Sequence, residues 1–183
     1  MTQQVLFVQG GGEGAYQADA GLATSLGSEL GPGYDVRYPA MPDEASPDCS
    51  AWRQRLSQEF TALGSGAVLV AHSLGASILL KALADGGARP AFKGVFLIAA
   101  PYWGGEGWGG WKDVELSDDE TARLSETGPI FLYHSRDDEE VPYAHLDLYA
   151  KAIPRAKVRR LVGRNHQLND DLSEVAADIR DLG

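Results

Sequence analysis

Continuous apolar runs alternate along this chain with apolar residues spaced for one face of a helix. Val5-Leu6-Phe7-Val8, the stretch near residues 67 to 71, Gly94-Val95-Phe96-Leu97-Ile98-Ala99-Ala100 and Pro129-Ile130-Phe131-Leu132-Tyr133-His134 read as strands covered on both sides. A strand with one wet face would alternate instead. Tyr34 to Tyr38 and Val158 to Val162 do alternate, and read as more exposed strands. Between the strands, Leu22, Leu26 and Leu30, then Trp52, Leu56, Phe60 and Leu63, recur every three or four residues and predict amphipathic helices. The same spacing places Leu168, Leu172, Val175, Ala176, Ile179 and Leu182 on one face of a final helix. Further helices are expected up to Ala84 and over Tyr143 to Ala152. Ser117-Asp118-Asp119-Glu120 reads as a capping box opening a short helix to Ser125. Gly31-Pro32-Gly33 and Asp85-Gly86-Gly87 end helices. Strand and helix alternate without internal repeats, which predicts an α/β fold. The expected architecture is a three-layer α/β/α sandwich with about six mainly parallel strands. Residues 1–183 read as one domain, with Tyr102–Ser125 as a small insertion over the site.

Composition narrows the function. A hydrophobic share of 44% and a charged share of 23% are ordinary for a globular domain. The formal net charge of −10 and the lack of a basic cluster exclude nucleic acid as the expected partner. No apolar run reaches the roughly 20 residues that span a bilayer, and no signal-peptide pattern opens the chain. A single cysteine, Cys49, can form no internal disulfide, which suits a cytoplasmic location. It lies in a Pro/Asp/Ser loop and is not a candidate nucleophile. The 4 histidines show no metal-ligand spacing, so neither a metal nor a cofactor is expected.

The chemistry centres on Val68-Leu69-Val70-Ala71-His72-Ser73-Leu74-Gly75-Ala76. A buried strand, a tight turn and a helix put Ser73 at a corner where its backbone is pushed to positive φ. Such a corner tolerates only small neighbours, hence the G-x-S-x-G pattern of nucleophile elbows, here with Ala71 in first place. A serine hydroxyl needs a base, and the base needs an orienting group. Downstream strand ends offer an acid in Ser135-Arg136-Asp137-Asp138 and then His166. In largely parallel sheets, working residues gather beyond the carboxyl ends of strands. The order Ser73, acid, His166 is that of the α/β-hydrolase arrangement. An oxyanion needs backbone donors, and Leu74 at the start of the helix supplies one.

With these residues the chain resembles the α/β-hydrolase superfamily over almost its whole length. It is similar to small lidless predicted esterases and to the retinoblastoma-binding-protein-9-like serine hydrolases, with the early antiparallel strands missing. The resemblance implies that Gln9-Gly10 stands for the usual His-Gly of the oxyanion loop, and that Gly11 gives the second amide. It also favours Asp138 over Asp137, because Asp138-Glu139-Glu140-Val141-Pro142 matches the family's D-x-x-V-P turn. The expected catalytic set is therefore Ser73, Asp138 and His166, with Gly11 and Leu74 as oxyanion donors. Gln9, Gly10, Gly12, His72, Tyr102, Trp103 and Trp108 are the candidate pocket residues. For His72, packing beside the serine is the competing reading; for the tryptophans, it is packing onto the sheet edge. His134 is expected to stand behind the base, not to act as one.

The expected function is cleavage of a small-molecule ester through an acyl-serine. A protein-binding module on the same scaffold is the alternative. Gly10-Gly11-Gly12-Glu13-Gly14-Ala15 also fits G-x-G-x-x-A after a first strand. A dinucleotide site would want an acid at the end of the next strand, where Arg37-Tyr38-Pro39 stands, so that reading ranks last.

Overall fold

Six strands, all parallel, form the middle layer in the order β2-β1-β3-β4-β5-β6. The computed structural model describes residues 2–85 and 90–183. In chain order the elements are β1 (Gln3–Val8), α1 (Ala15–Ala18), α2 (Ala20–Leu30), β2 (Tyr34–Arg37), α3 (Cys49–Ala62), β3 (Val68–His72) and α4 (Ser73–Ala84). Then follow β4 (Gly94–Ile98), α5 (Asp118–Arg123), β5 (Ile130–Ser135), α6 (Ala144–Ala152), β6 (Lys157–Leu161) and α7 (Ser173–Arg180). The sheet is thus wholly parallel, beyond the mainly parallel arrangement expected. Gly86 and Gly87, expected to close α4, lie outside the described residues.

The unbroken apolar runs are explained by two cores, one on each face. Side chains alternate across a strand, so Leu6, Leu69, Leu97 and Leu132 meet Trp52, Leu56, Ile78, Leu79 and Leu146 from α3, α4 and α6. Phe7, Val70, Phe96 and Tyr133 point the other way, onto Leu22, Leu26, Val175 and Ile179 from α2 and α7. Burying each such side chain is worth about 1.5–3 kcal/mol. The edge strand β6 is wetter, and its arginines pair outward, Arg159 with Asp178 and Arg160 with Asp147. The helix ends follow the expected chemistry. Asp48 caps α3 by accepting from Ala51 N–H at 2.7 Å, and Ser117 with Glu120 completes a capping box on α5.

Leu168 is not on the last helix, as its spacing suggested. Leu168, Asn169 and Asp170 form a turn with φ of 48°, 57° and 54°, and α7 begins only at Ser173. Three successive non-glycine residues in the left-handed region cannot continue a right-handed helix. The turn is held by reciprocal bonds, Asn165 N–H to Asn169 Oδ1 at 3.0 Å and Asn169 N–H to Asn165 Oδ1 at 2.7 Å.

The strand order fixes where chemistry can occur. From β1 the chain passes to β2 on one side, and later to β3 on the other. The crevice beyond β1 and β3 is therefore a topological switch point. Val8 pairs with Ala71, so the loop after β1 and the corner after β3 emerge side by side.

Candidate active site

At the end of β3 the chain turns straight into α4, with no intervening loop, and Ser73 takes φ of 50° at the corner. Gly75 shows why the following position must be small: a Cβ there would strike the backbone carbonyl of Gln9. Ala71 is accommodated because it lies within the strand proper and is fully buried in regular packing.

Ser73 Oγ lies 3.0 Å from Nε2 of His166, and Nδ1 of His166 lies 2.8 Å from Oδ2 of Asp138. A carboxylate accepts, so Nδ1 carries the proton and Nε2 presents its lone pair to the serine hydroxyl. His166 reaches Ser73 from the loop after β6, three strands away, across β5 and β4. Asp138 comes from the turn after β5. Its Oδ1 accepts the N–H groups of Glu140 and Val141, each at 2.9 Å, and Oδ2 also lies 3.0 Å from Nε2 of His134. Burial by itself would raise this carboxyl. The bonds from His134 and His166, then that from Val141, outweigh it and hold the group well below the ordinary carboxylate range. Burial likewise would lower the His166 imidazole, but Asp138 raises it by hydrogen bond and charge, with Glu140 and Asp19 adding to the rise. Asp137 faces elsewhere and accepts Gly163 N–H at 2.5 Å.

The loop after β1 lies against this corner. Gly10 N–H donates to Asp19 at 2.7 Å and Gly12 N–H to the Glu44 carbonyl at 2.6 Å. Neither Gly11 nor Leu74 N–H has an acceptor among the described residues. The two residues touch: a Cβ on Gly11 would strike Leu74 Cδ2. Gln9 is fully buried, taking Met41 N–H at 2.9 Å and donating to Glu44 at 2.6 Å. Its Nε2 also reaches the Gly10 carbonyl at 3.3 Å. N–H and C=O point oppositely across a trans peptide, so this contact aims the Gly11 N–H the other way.

The serine hydrolase family model matches residues 34–169, most of the chain, and spans Ser73, Asp138 and His166. The chain belongs to the serine hydrolase family. No curated protein sequence matches it. Among solved structures, the ydeN gene product of B. subtilis aligns at 22% identity over 99% of this chain and 98% of its own, with a TM-score of 0.79. The esterase domain of a Rhodothermus marinus protein aligns at 18% identity over 99% of this chain and 88% of its own, TM-score 0.68. Arabidopsis thaliana SOBER1 aligns at 16% identity over 100% of this chain and 99% of its own, TM-score 0.70. These likenesses identify the fold of this serine hydrolase as the α/β-hydrolase one.

The remaining predicted site residues are distributed unevenly. His72 points inward and is 1% exposed, its ring nitrogens facing Asp19 and the His166 carbonyl. Tyr102, Trp103 and Trp108 form a small aromatic turn after β4. Trp103 packs edge-on against Trp108 and Trp111, and Trp108 against His145 of α6. Tyr102 N–H donates to His145 Nδ1 at 2.8 Å, and burial lowers that histidine. Tyr102 also lines a cavity of about 740 Å³ with Leu116, Leu148 and Ile153; neither Ser73 nor His166 reaches it. Cys49 is buried, its thiol raised by that burial. No group of three His, Cys, Asp or Glu among the described residues is arranged to hold a metal, and no described helix is long and apolar enough to cross a membrane.

Three residues beside the site were not foreseen. Asp19 is buried against Gly10 and His72. Glu44 accepts Gly14 N–H at 3.1 Å and Tyr16 N–H at 2.6 Å at the start of α1. Glu140 places a carboxylate oxygen 3.7 Å from Nε2 of His166. A signal for Asp19 exists: it is a lone charge within the small-residue run Ala18-Asp19-Ala20-Gly21, which marks a close packing site.

Proposed function

We propose that this serine hydrolase cleaves small esters through an acyl-enzyme, with Ser73, His166 and Asp138 as its triad. The observation that carries this reading is the unbroken run of hydrogen bonds from Ser73 Oγ through His166 to Asp138, at 3.0 and 2.8 Å. Ser73 Oγ attacks the ester carbonyl carbon while its proton passes to Nε2 of His166. Asp138 keeps the imidazole in the tautomer that can accept it and stabilises the imidazolium that forms. Charge on the carbonyl oxygen is met by the free amides of Gly11 and Leu74. Collapse expels the alcohol, which takes the proton from His166. A water then attacks the acyl carbon while His166 takes one of its protons. Collapse breaks the bond to Ser73 Oγ, which takes that proton back from His166 as the acid leaves.

The strained corner supports this reading. A serine at φ of 50° persists only where the surrounding packing over-determines it, and it lifts Oγ out of the helix start toward the crevice. The dinucleotide reading loses ground to Glu44, whose carboxylate already takes two N–H groups that a pyrophosphate would need. Ser73 stays partly exposed at its corner, which favours small, accessible esters over long-chain lipids.

A fluorophosphonate probe tests the proposal. Labelling that maps to Ser73, together with turnover of p-nitrophenyl acetate that Ser73→Ala abolishes, is the expected result. Folded protein that neither labels nor turns over the ester refutes it and leaves the binding-module reading.

A further inference from the structure

Asp19 and His72 stand outside the Ser73–His166–Asp138 run, yet each is 1% exposed. Asp19 sits at the junction of α1 and α2. Its Oδ2 accepts Gly10 N–H at 2.7 Å and lies 2.8 Å from Nδ1 of His72. The other ring nitrogen of His72, Nε2, is 3.0 Å from the backbone carbonyl oxygen of His166. Carboxylates and carbonyls only accept, so making both contacts requires a proton on each nitrogen of His72. Two buried side chains thus tie together three segments distant in sequence: the loop after β1, the Ser73 corner and the loop bearing His166.

Each of those segments needs holding. Gly10 lies between the pair and the serine: a Cβ there would be 3.2 Å from Ser73 Cβ and 3.5 Å from both Asp19 Oδ2 and His72 Nδ1. Ser73, next in sequence to His72, is in the left-handed region. The segment after His166 has three successive non-glycine residues there. Such conformations survive only where neighbouring structure imposes them. The His166 carbonyl caught by His72 is one restraint. Another is Asp170, whose carboxylate packs against Gly21 so closely that a Cβ would strike it; Gly21 is in α2, the helix that starts beside Asp19.

We propose that Asp19 and His72 form a brace that positions the oxyanion loop and the His166 loop about Ser73, so that hole, nucleophile and base hold one mutual geometry. The pair touches neither substrate nor reacting atoms. Asp19 sets the Gly10 end of the loop that carries Gly11, and His72 transmits the same restraint to the main chain of His166. The inference rests on the triad reading above, but its structural half can be measured without turnover.

The test compares wild type, Asp19→Asn, His72→Gln and the double variant. Asn still accepts from Gly10 without the charge, and the amide of Gln can still donate toward the His166 carbonyl. Two buried partners acting as one unit predict that each single variant lowers kcat about 10- to 100-fold with KM changed less than about threefold. The double variant should be no slower than the worse single, since one brace can be broken only once. His72→Gln should retain more activity than His72→Leu, which cannot donate. Independent of activity, amide exchange in Asp19→Asn should quicken at residues 165–170, which Asp19's carboxylate does not touch, with β3 and β5 unchanged. Wild-type kcat in the folded variants, or losses that multiply in the double, would overturn the proposal. Unaltered exchange at residues 165–170 would do the same. If a variant does not fold, nitrogen NMR of wild type decides: two protonated ring nitrogens on His72 support the brace, and one bare nitrogen refutes it. An inert wild type with the exchange response intact would instead refute the triad reading and spare the brace.

Discussion

His134 and Asp138 meet across 3.0 Å from Nε2 to Oδ2, both side chains 1% exposed, at the same carboxylate oxygen that receives His166. With two backbone N–H groups on the other oxygen, this carboxylate is solvated by the protein in place of water. The consequence is a pH-dependent contribution to stability. A carboxyl held below its unfolded value stabilises the fold fully above about pH 3.9, and that contribution is lost as pH falls through the folded value. His166, held above its unfolded value, works in the opposite sense: its contribution is full below about pH 6.5 and is lost as pH rises through the folded value. The gap in melting temperature between wild type and Asp138→Asn should therefore be widest between those limits and narrow toward strong acid. Thermal melts across a pH series check it; a gap that stays constant into strong acid contradicts the linkage.

The adjacent aspartates should separate cleanly in activity. Asp138→Asn leaves the shape but removes the acceptor that holds the proton on Nδ1 of His166. Loss of that tautomer should cost about a thousandfold or more in kcat. Asp137 only anchors Gly163 N–H, at the root of the His166 loop. Asp137→Asn can still accept that bond, and a change of no more than about threefold is expected, on the scale of one surface hydrogen bond. Steady-state rates on one ester decide the matter.

Glu140 should set the acid limb of the rate profile. Its carboxylate is 3.7 Å from Nε2 of His166 and favours the imidazolium, the form that cannot act as base. Removing the charge lowers the His166 value, so Glu140→Gln should keep activity to lower pH than wild type. Its side chain is 60% exposed, so salt should screen the effect and draw the two profiles together. A profile of kcat/KM against pH at low and high ionic strength tests both statements.

Much of this site is legible in the sequence because its signals are local. An apolar run, small residues two positions either side of Ser73 and a helix-forming stretch all describe one corner. The acid and the histidine each follow a run that can only be a strand. What escaped prediction is made by distant pairs. Asp19 meets Gly10 and His72 only because β1 and β3 are neighbours, which no spacing encodes. Leu168 kept the helical period of Leu172 and Val175 yet lies in a left-handed turn, because the loop must carry His166 back across two strands before α7 can begin. Glycine would have announced such a turn, but Leu168, Asn169 and Asp170 occupy it.

Gly75 and Gly11 should fail differently when given a side chain. A Cβ on Gly75 would run into the carbonyl of Gln9, backbone against backbone, with Val8 behind it. Neither element can yield without moving β1 from β3. Gly75→Ala should destabilise the fold by about 3 kcal/mol, at the upper end of ordinary overpacking. A Cβ on Gly11 instead meets the tip of Leu74, a side chain that can rotate, and then Pro47. Gly11→Ala should cost less stability, about 1 kcal/mol. It should nonetheless reduce kcat, by about 10-fold or more, because the amide proposed to meet the oxyanion is displaced while the binding surface survives. Denaturant titration and steady-state kinetics on the two variants separate the outcomes. If Gly11→Ala melts early yet keeps wild-type kcat, that amide is not an oxyanion donor.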